Sequence, residues 1–222
     1  MTQAQPQLKT AETPEARVER LNAELKGKSA QDIIRAAKRE FGDGLVYVSS
    51  FGAESAAMLG LIAEADPSLP IVFIDTGMHF QQTLDYRDEL EERLGLTGLR
   101  TVYPVKEEVK ELDPKGILHK SDTDLCCEVR KVRPLEPALE GFDAWITGRK
   151  RFHGMGRANL PIFEFSEGRY KVNPLANWTQ EDVTEWFATS DVPRHPLVAD
   201  GYPSIGCWPC TARPADPTDV RS

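Results

Sequence analysis

No run of apolar residues in this chain approaches the length of a membrane-spanning helix, and residues 1–13 are polar, without the apolar core of a secretory signal. Neither a membrane protein nor a secreted one is expected, and the expected compartment is the cytoplasm. Positive charge is in deficit as well: 27 Lys and Arg stand against 35 Asp and Glu, a net charge of −8. That sign disfavours binding to nucleic acid. The chain has no internal repeat and no Gly-x(4)-Gly-Lys-Ser/Thr, so it is not a P-loop NTPase. Cysteine is scarce, with four in 222 residues.

Those four carry the most information. Cys126 and Cys127 are adjacent, and Cys207 and Cys210 follow far downstream in Cys-Trp-Pro-Cys. Two short-range pairs so far apart suggest one metal centre assembled by the fold. Both structural zinc and iron–sulfur clusters take four thiolates, so ligand number alone does not decide. Spacing does more: structural zinc typically separates each ligand pair by about two to four residues, because each knuckle needs a turn. Cys126 and Cys127 have no such turn, which favours an iron–sulfur cluster, whose several irons accept neighbouring ligands. The Cys207 motif follows Gly-Tyr-Pro-Ser-Ile-Gly and precedes Pro214 and Pro217, an irregular context that argues against a redox dithiol at a helix start. Thiols held as metal ligands also suit a reducing compartment.

The rest reads as a single α/β domain, with N-terminal helices in 1–42, an α/β core in 43–200 and a cysteine-bearing loop in 201–222. Thr13-Pro14 and Ser29 open two helices, the second closed by Gly42. Apolar, β-rich runs predict strands at 45–49, 71–75, 99–103 and 143–148, with helices at 55–65 and 81–94 between them. A helix over 125–139 is expected to be kinked or interrupted by Pro134 and Pro137. Residues 162–172 suit a hairpin, and Thr179 caps a helix reaching about residue 189. Strands alternating with helices imply a mainly parallel, doubly wound sheet flanked by helices.

In such sheets ligands bind at the carboxyl ends of the strands, where helix N-termini offer free N–H groups to anions. Three loops land there: 50–55, 75–77 and 149–157. The first combines hydroxyls and Gly52 at a strand-to-helix turn suited to a phosphate. Basic groups cluster nearby in sequence: Arg149, Lys150, Arg151 and Arg157, and separately Arg130, Lys131 and Arg133. Charge runs are usually solvated faces. On an acidic chain beside glycine-containing loops, they instead suggest a small anionic substrate.

Ser49-Ser50-Phe51-Gly52-Ala53-Glu54-Ser55, Ile74-Asp75-Thr76-Gly77, Cys126-Cys127, Gly148-Arg149 and Cys207-Trp208-Pro209-Cys210-Thr211 follow one another in the order seen in assimilatory sulfonucleotide reductases. Over 29–222 the chain resembles the iron–sulfur adenylyl-sulfate (APS) reductases of that family. The resemblance implies a PP-loop fold, like that of adenine nucleotide alpha hydrolases. It implies reduction of APS to sulfite and AMP in sulfate assimilation and cysteine biosynthesis, with thioredoxin as reductant. It implies a [4Fe-4S] cluster on Cys126, Cys127, Cys207 and Cys210, and Lys131 between cluster and substrate. Ser50, Gly52, Ala53, Glu54, Ser55, Asp75, Thr76, Gly77, Arg149, Arg157 and Arg221 are the implied substrate-binding residues, and a homo-oligomer is a further expectation.

The sequence departs from that family in a small way at Gln82, where many relatives carry Glu, and in a larger one at its C-terminal end. Family members carry a C-terminal tail whose cysteine attacks the sulfur of APS, giving an S-sulfocysteine that thioredoxin resolves. This sequence stops at Arg221-Ser222, and its four cysteines are all assigned to the cluster. The expectation is a truncated chain that binds APS and the cluster without turnover. Rival readings are a PAPS reductase, an ATP-dependent PP-loop sulfurtransferase and a non-catalytic nucleotide-binding module. Relatives specialised for PAPS usually lack the cysteine pairs, so APS is the expected substrate.

Overall fold

The structure, a computed structural model, describes residues 12–153 and 159–214. Arg157 and Arg221 lie outside the described residues. Helix α1 (Pro14–Glu24) starts where the Thr13 hydroxyl accepts from the Ala16 amide, and α2 (Ala30–Phe41) starts where Ser29 does the same for Asp32. The chain then alternates through β1 (Leu45–Ser49), α3 (Ser55–Ala65), β2 (Ile71–Ile74), α4 (Gln81–Leu94) and β3 (Leu99–Val102). Short helices α5 (Lys106–Leu112), α6 (Leu118–Ser121) and α7 (Thr123–Cys127) follow, before α8 (Arg133–Ala138) and β4 (Ala144–Ile146). The hairpin β5 (Phe163–Ser166) and β6 (Arg169–Val172), helix α9 (Gln180–Thr189) and one turn of helix, α10 (Pro196–Ala199), complete the order. Thr179 and Asp182 cap α9 reciprocally.

The six strands form one sheet in the order β3-β2-β1-β4-β6-β5. All neighbours are parallel except the β5–β6 hairpin. Each parallel strand alternates its side chains between two apolar layers. Leu45, Tyr47, Ile71, Phe73, Ala144 and Ile146 face the large core under α2, α3 and α9, whereas Val46, Val72 and Trp145 face a smaller one with Ala138 and Leu139. The second face is covered chiefly by the helical run that carries the first cysteine pair. From β1 the chain winds outward to β2 and β3, then returns to place β4 on the other side of β1. That reversal leaves a crevice at the carboxyl ends of β1 and β4.

The α-helix expected to be kinked or interrupted at Pro134 and Pro137 is interrupted, though just ahead of both prolines. Residues 123–138 stay helical, and a π-helical turn over Glu128–Val132 joins α7 to α8. The Arg133 amide donates to the Glu128 carbonyl, five residues back. Pro134 falls in the first turn of α8, where its missing N–H costs little.

His195 is a buried polar anchor, 1% exposed. The Leu197 amide donates to its Nδ1 (3.2 Å), so Nε2 carries the proton and donates to the Thr83 hydroxyl (3.0 Å), tying α10 to α4. Burial lowers its pKa from 6.5 to about 4. Below pH 6.5 the unfolded chain takes up a proton that the folded chain refuses until about pH 4. Stability should therefore fall across that window, and more steeply in the wild type than in His195→Gln, as urea unfolding at a series of pH values would read.

Candidate active site

The turn after β1 is tightly shaped. Ser49 Oγ accepts from the Phe51 amide (3.2 Å), and Phe51 takes a positive φ of 49° while its ring packs edge-on against Phe73. A non-glycine residue in that region is held there by its surroundings, and such strain gathers at functional turns. Gly52 is required by proximity: a Cβ there would lie 2.7 Å from the Ile205 carbonyl oxygen. The loop after β1 and the loop carrying Cys207 are thus in backbone contact. Gly52→Ala must part them and should cost about 1–3 kcal/mol, measurable by denaturant unfolding.

Ser50 is exposed at this turn, and Ser55 opens α3 with its amide on the Gly52 carbonyl (3.1 Å). Tyr47, fully buried beneath, shares hydrogen bonds with Ser49 and Ser55, and burial pushes its phenol up to about 12, so it stays neutral. Ala53 is buried against Leu197 and Ile205, which leaves its backbone as the part able to meet a ligand. Glu54 receives the Lys150 ammonium at 2.7 Å, a lysine only 2% exposed, so the loops after β1 and β4 are clasped together across the crevice. Arg149 pairs with Glu164 and donates to the Thr147 hydroxyl. Of the other basic group, Arg130 is buried against Asp113 and Arg133 pairs with Glu108 and Glu128. Much of the positive charge that the sequence offers an anion is therefore neutralised within the protein.

After β2, Gly77 donates its amide to the Asp75 carboxylate (2.9 Å) and takes a φ of 70°. The Thr76 hydroxyl accepts from the Met78 amide (3.2 Å) and lies 3.2 Å from Cys207 Sγ. Trp208 donates its amide to the Met78 carbonyl (2.8 Å), and His79 forms a β-bridge with Cys207. The Cys207 loop is therefore stitched to the loop after β2 as well as the loop after β1. Its thiols flank one 3-10 turn, Trp208–Cys210, with Cys207 as the extended residue before it, Cys210 as its last residue and the Thr211 hydroxyl donating to the Cys207 carbonyl (3.0 Å).

All four cysteines line one open pocket, together with Met78, His119, Arg130 and Lys131. None is in a disulfide; Cys126 and Cys207 are buried and Cys210 is exposed. Burial pushes the Cys126 thiol up, opposed by Arg130, and Cys127 and Cys207 are close enough to add to the rise. Among the described residues no three His, Cys, Asp or Glu side chains converge on one metal ion. Four thiols spread around a shared cavity instead suit a group larger than one ion. Two buried nitrogens of the wall, His119 Nδ1 and Arg130 Nε, have no partner among the described residues. Orphaned polar atoms beside a cavity are the mark of a missing ligand. On these observations the residues present fit an iron–sulfur cluster.

Lys131 stands at the rim, exposed, between this cavity and the loop after β2, close enough to His79 to help lower its pKa, which burial already depresses. The His79 ring donates to the Ile74 carbonyl (3.1 Å) at the end of β2.

The family model for the phosphoadenosine phosphosulfate reductase domain matches residues 44–213. The chain belongs to that family. Curated reductases of similar sequence include the adenosine 5'-phosphosulfate reductase of Chelativorans sp. (strain BNC1), 47% identical over 91% of this chain and 83% of that protein. Another is the adenosine 5'-phosphosulfate reductase of Streptomyces coelicolor, 40% identical over 96% of this chain and 91% of that one. Among solved structures, the reductase fold is matched by phosphoadenylyl-sulfate (PAPS) reductase from Candida auris in a phosphate complex. The TM-score is 0.77 at 31% identity, covering 90% of this chain and 98% of that one. Candida glabrata FMN adenylyltransferase, 17% identical with a TM-score of 0.62 over 94% of this chain and 69% of that one, shares the fold alone. The expected α/β fold, a mainly parallel sheet flanked by helices, is thereby met.

Sequence reasoning missed the Asp113–Arg130 pair, the Glu54–Lys150 clasp and His119. Only His119 left a trace in the sequence, seven residues before Cys126, a spacing too common to flag.

Proposed function

We propose that this chain binds adenosine 5'-phosphosulfate for its reduction to sulfite and AMP by a thiol supplied from outside its four cysteines, with Cys126, Cys127, Cys207 and Cys210 holding a [4Fe-4S] cluster. The observation that carries the reading is the backbone contact of the Cys207 loop with the loops after β1 and β2, which sets a pocket lined by four thiols beside the carboxyl ends of those strands. Substrate preference follows the curated relatives, which are named for APS and are more similar in sequence than the solved PAPS reductase.

In this reading a thiolate attacks the sulfur of APS, forming an S–S bond as the S–O bond to the phosphate breaks and AMP leaves. A second thiol then displaces sulfite and closes a disulfide, so the two electrons come from a dithiol of the thioredoxin class. With four cysteines committed to the cluster, the attacking thiol comes from outside those four. A cluster held by Cys126, Cys127, Cys207 and Cys210 would supply fixed charge to the site. Lys131 holds an ammonium toward that sulfate, and the turn at 50–55 offers amides and hydroxyls to the nucleotide. Arg149, Arg157 and Arg221 belong to the same anion-binding set. No helix among the described residues is long and apolar enough to cross a membrane. A reducing, cytoplasmic setting suits four unpaired thiols.

The test is composition followed by affinity. Anaerobically purified protein should contain about four irons and four sulfides per chain. By calorimetry it should bind APS at least about tenfold more tightly than PAPS, a difference of about 1.4 kcal/mol. Zinc without sulfide, or no affinity for APS, would overturn the proposal.

A further inference from the structure

His119 lies on α6 in the wall of the cysteine cavity, with its Nδ1 buried and without a partner among the described residues. A buried imidazole nitrogen left unpaired costs about 1–3 kcal/mol, so its retention calls for a ligand that the protein itself does not supply. The ring is not loosely placed. The exposed Trp208 indole meets it edge to face, with centroids 5.9 Å apart. The Thr123 hydroxyl donates to the His119 carbonyl (3.0 Å), and the Leu118 amide donates to Asp113 Oδ1 (2.9 Å). Asp113 in turn holds Arg130, which reaches the Thr76 carbonyl. α6 is therefore fixed to the same framework that positions Thr76 and the thiols.

We infer that His119 donates an Nδ1–H hydrogen bond to a sulfur of the cluster and tunes its reduction potential; this rests on the cluster reading above. The chemistry of the cavity selects a donor over a lone pair, because four thiolates leave the centre anionic. Thiolate ligation is already complete with four cysteines, so the imidazole has no coordination position to fill. Reduction adds negative charge, so an N–H directed at sulfur favours the reduced form and raises the potential. Trp208, packed edge to face on the imidazole, holds the ring in its place in the pocket wall.

The test compares wild type, His119→Leu and His119→Gln, prepared anaerobically, by resonance Raman in H2O and D2O and by potentiometry. The expected result is a smaller D2O-induced shift of the Fe–S modes and a lower potential in His119→Leu, both moving back toward wild type in His119→Gln. Unchanged modes and potential in a fully loaded His119→Leu protein overturn the inference and leave the cluster standing. Wild-type protein without iron and sulfide removes the cluster and this inference together. If His119→Leu loses its iron while His119→Gln keeps it with wild-type modes, the bond is supported. Loss of iron from both variants assigns His119 to packing and overturns its tuning role.

Discussion

Replacing Arg130 with leucine should destabilise the protein by about 3–5 kcal/mol, the usual cost of removing one member of a buried ion pair. The Arg130 guanidinium donates to Asp113 Oδ2 at 2.8 Å and to the Thr76 carbonyl at 2.9 Å, with side-chain exposures of 9% and 2% for the two partners of the pair. Burial alone would push the Asp113 carboxyl up. Hydrogen bonds from Arg130 and from the Leu118 and Ile117 amides more than offset it and hold the group below the usual carboxylate range. Without Arg130 the burial penalty stands and the carboxylate is left poorly compensated. The sign of the pH dependence then reverses: the wild-type pair loses stability as the carboxylate protonates in acid, whereas the variant is relieved by that protonation. The gap between the two proteins should narrow as pH falls through the carboxylate range. A double variant, Arg130→Leu with Asp113→Leu, should recover most of the loss, because no buried charge remains. Urea unfolding of the three proteins at two pH values checks all of this, and equal losses for single and double variants would show that the Thr76 contact matters more than the ion pair.

That pair also marks where sequence reading stopped. The four parallel strands, the hairpin and the capped helices were legible because apolar runs, Thr13, Ser29 and Thr179 state them locally. Helices α5 and α6 were not, since the first is a short Lys- and Glu-rich stretch and the second a single turn, Leu118–Ser121, too short to show a period. What holds α6 in place is Asp113, whose second oxygen answers to a residue on another helix. The interruption expected at Pro134 and Pro137 falls upstream of them for a related reason. The π-helical turn at Glu128–Val132 puts Pro134 in the first turn of α8, where its missing N–H costs little, while Pro137 sits inside that short helix. Cys126, Cys127, Cys207 and Cys210 could be grouped from spacing alone, but the loops that bring them to one cavity meet through backbone, at Gly52 and Ile205 and at Met78 and Trp208. Such contacts write almost nothing into side-chain identity. The basic islands were visible in the sequence, whereas their neutralisation was not, because Glu54 lies 96 residues from Lys150 and Glu164 lies across the hairpin from Arg149.

With the attacking thiol supplied from outside the four cluster cysteines, Lys131→Ala should lower the rate of sulfite release by about 100- to 1,000-fold, the range seen when one positioned donor to a developing charge is removed. Thermal stability should barely change, because Lys131 is exposed and lies outside both apolar layers. The argument is one of placement. Arg130 and Arg133 flank Lys131 in sequence, yet their guanidinium groups are engaged by Asp113, Glu108 and Glu128. Lys131 stands where the rim of the cysteine cavity meets the loop after β2. A charge there can act on the sulfate without touching the adenosine, so the variant should lose affinity for APS while keeping its affinity for AMP. Lys131→Arg should restore part of the APS affinity, since it keeps the charge but changes the shape of the donor. Calorimetry with the two nucleotides separates the alternatives even before turnover is measured. A parallel loss of APS and AMP binding would place Lys131 at the nucleotide's phosphate instead. Unchanged binding of both would confine any rate effect to the step in which the S–O bond breaks, where the ammonium meets charge that the ground state does not yet carry.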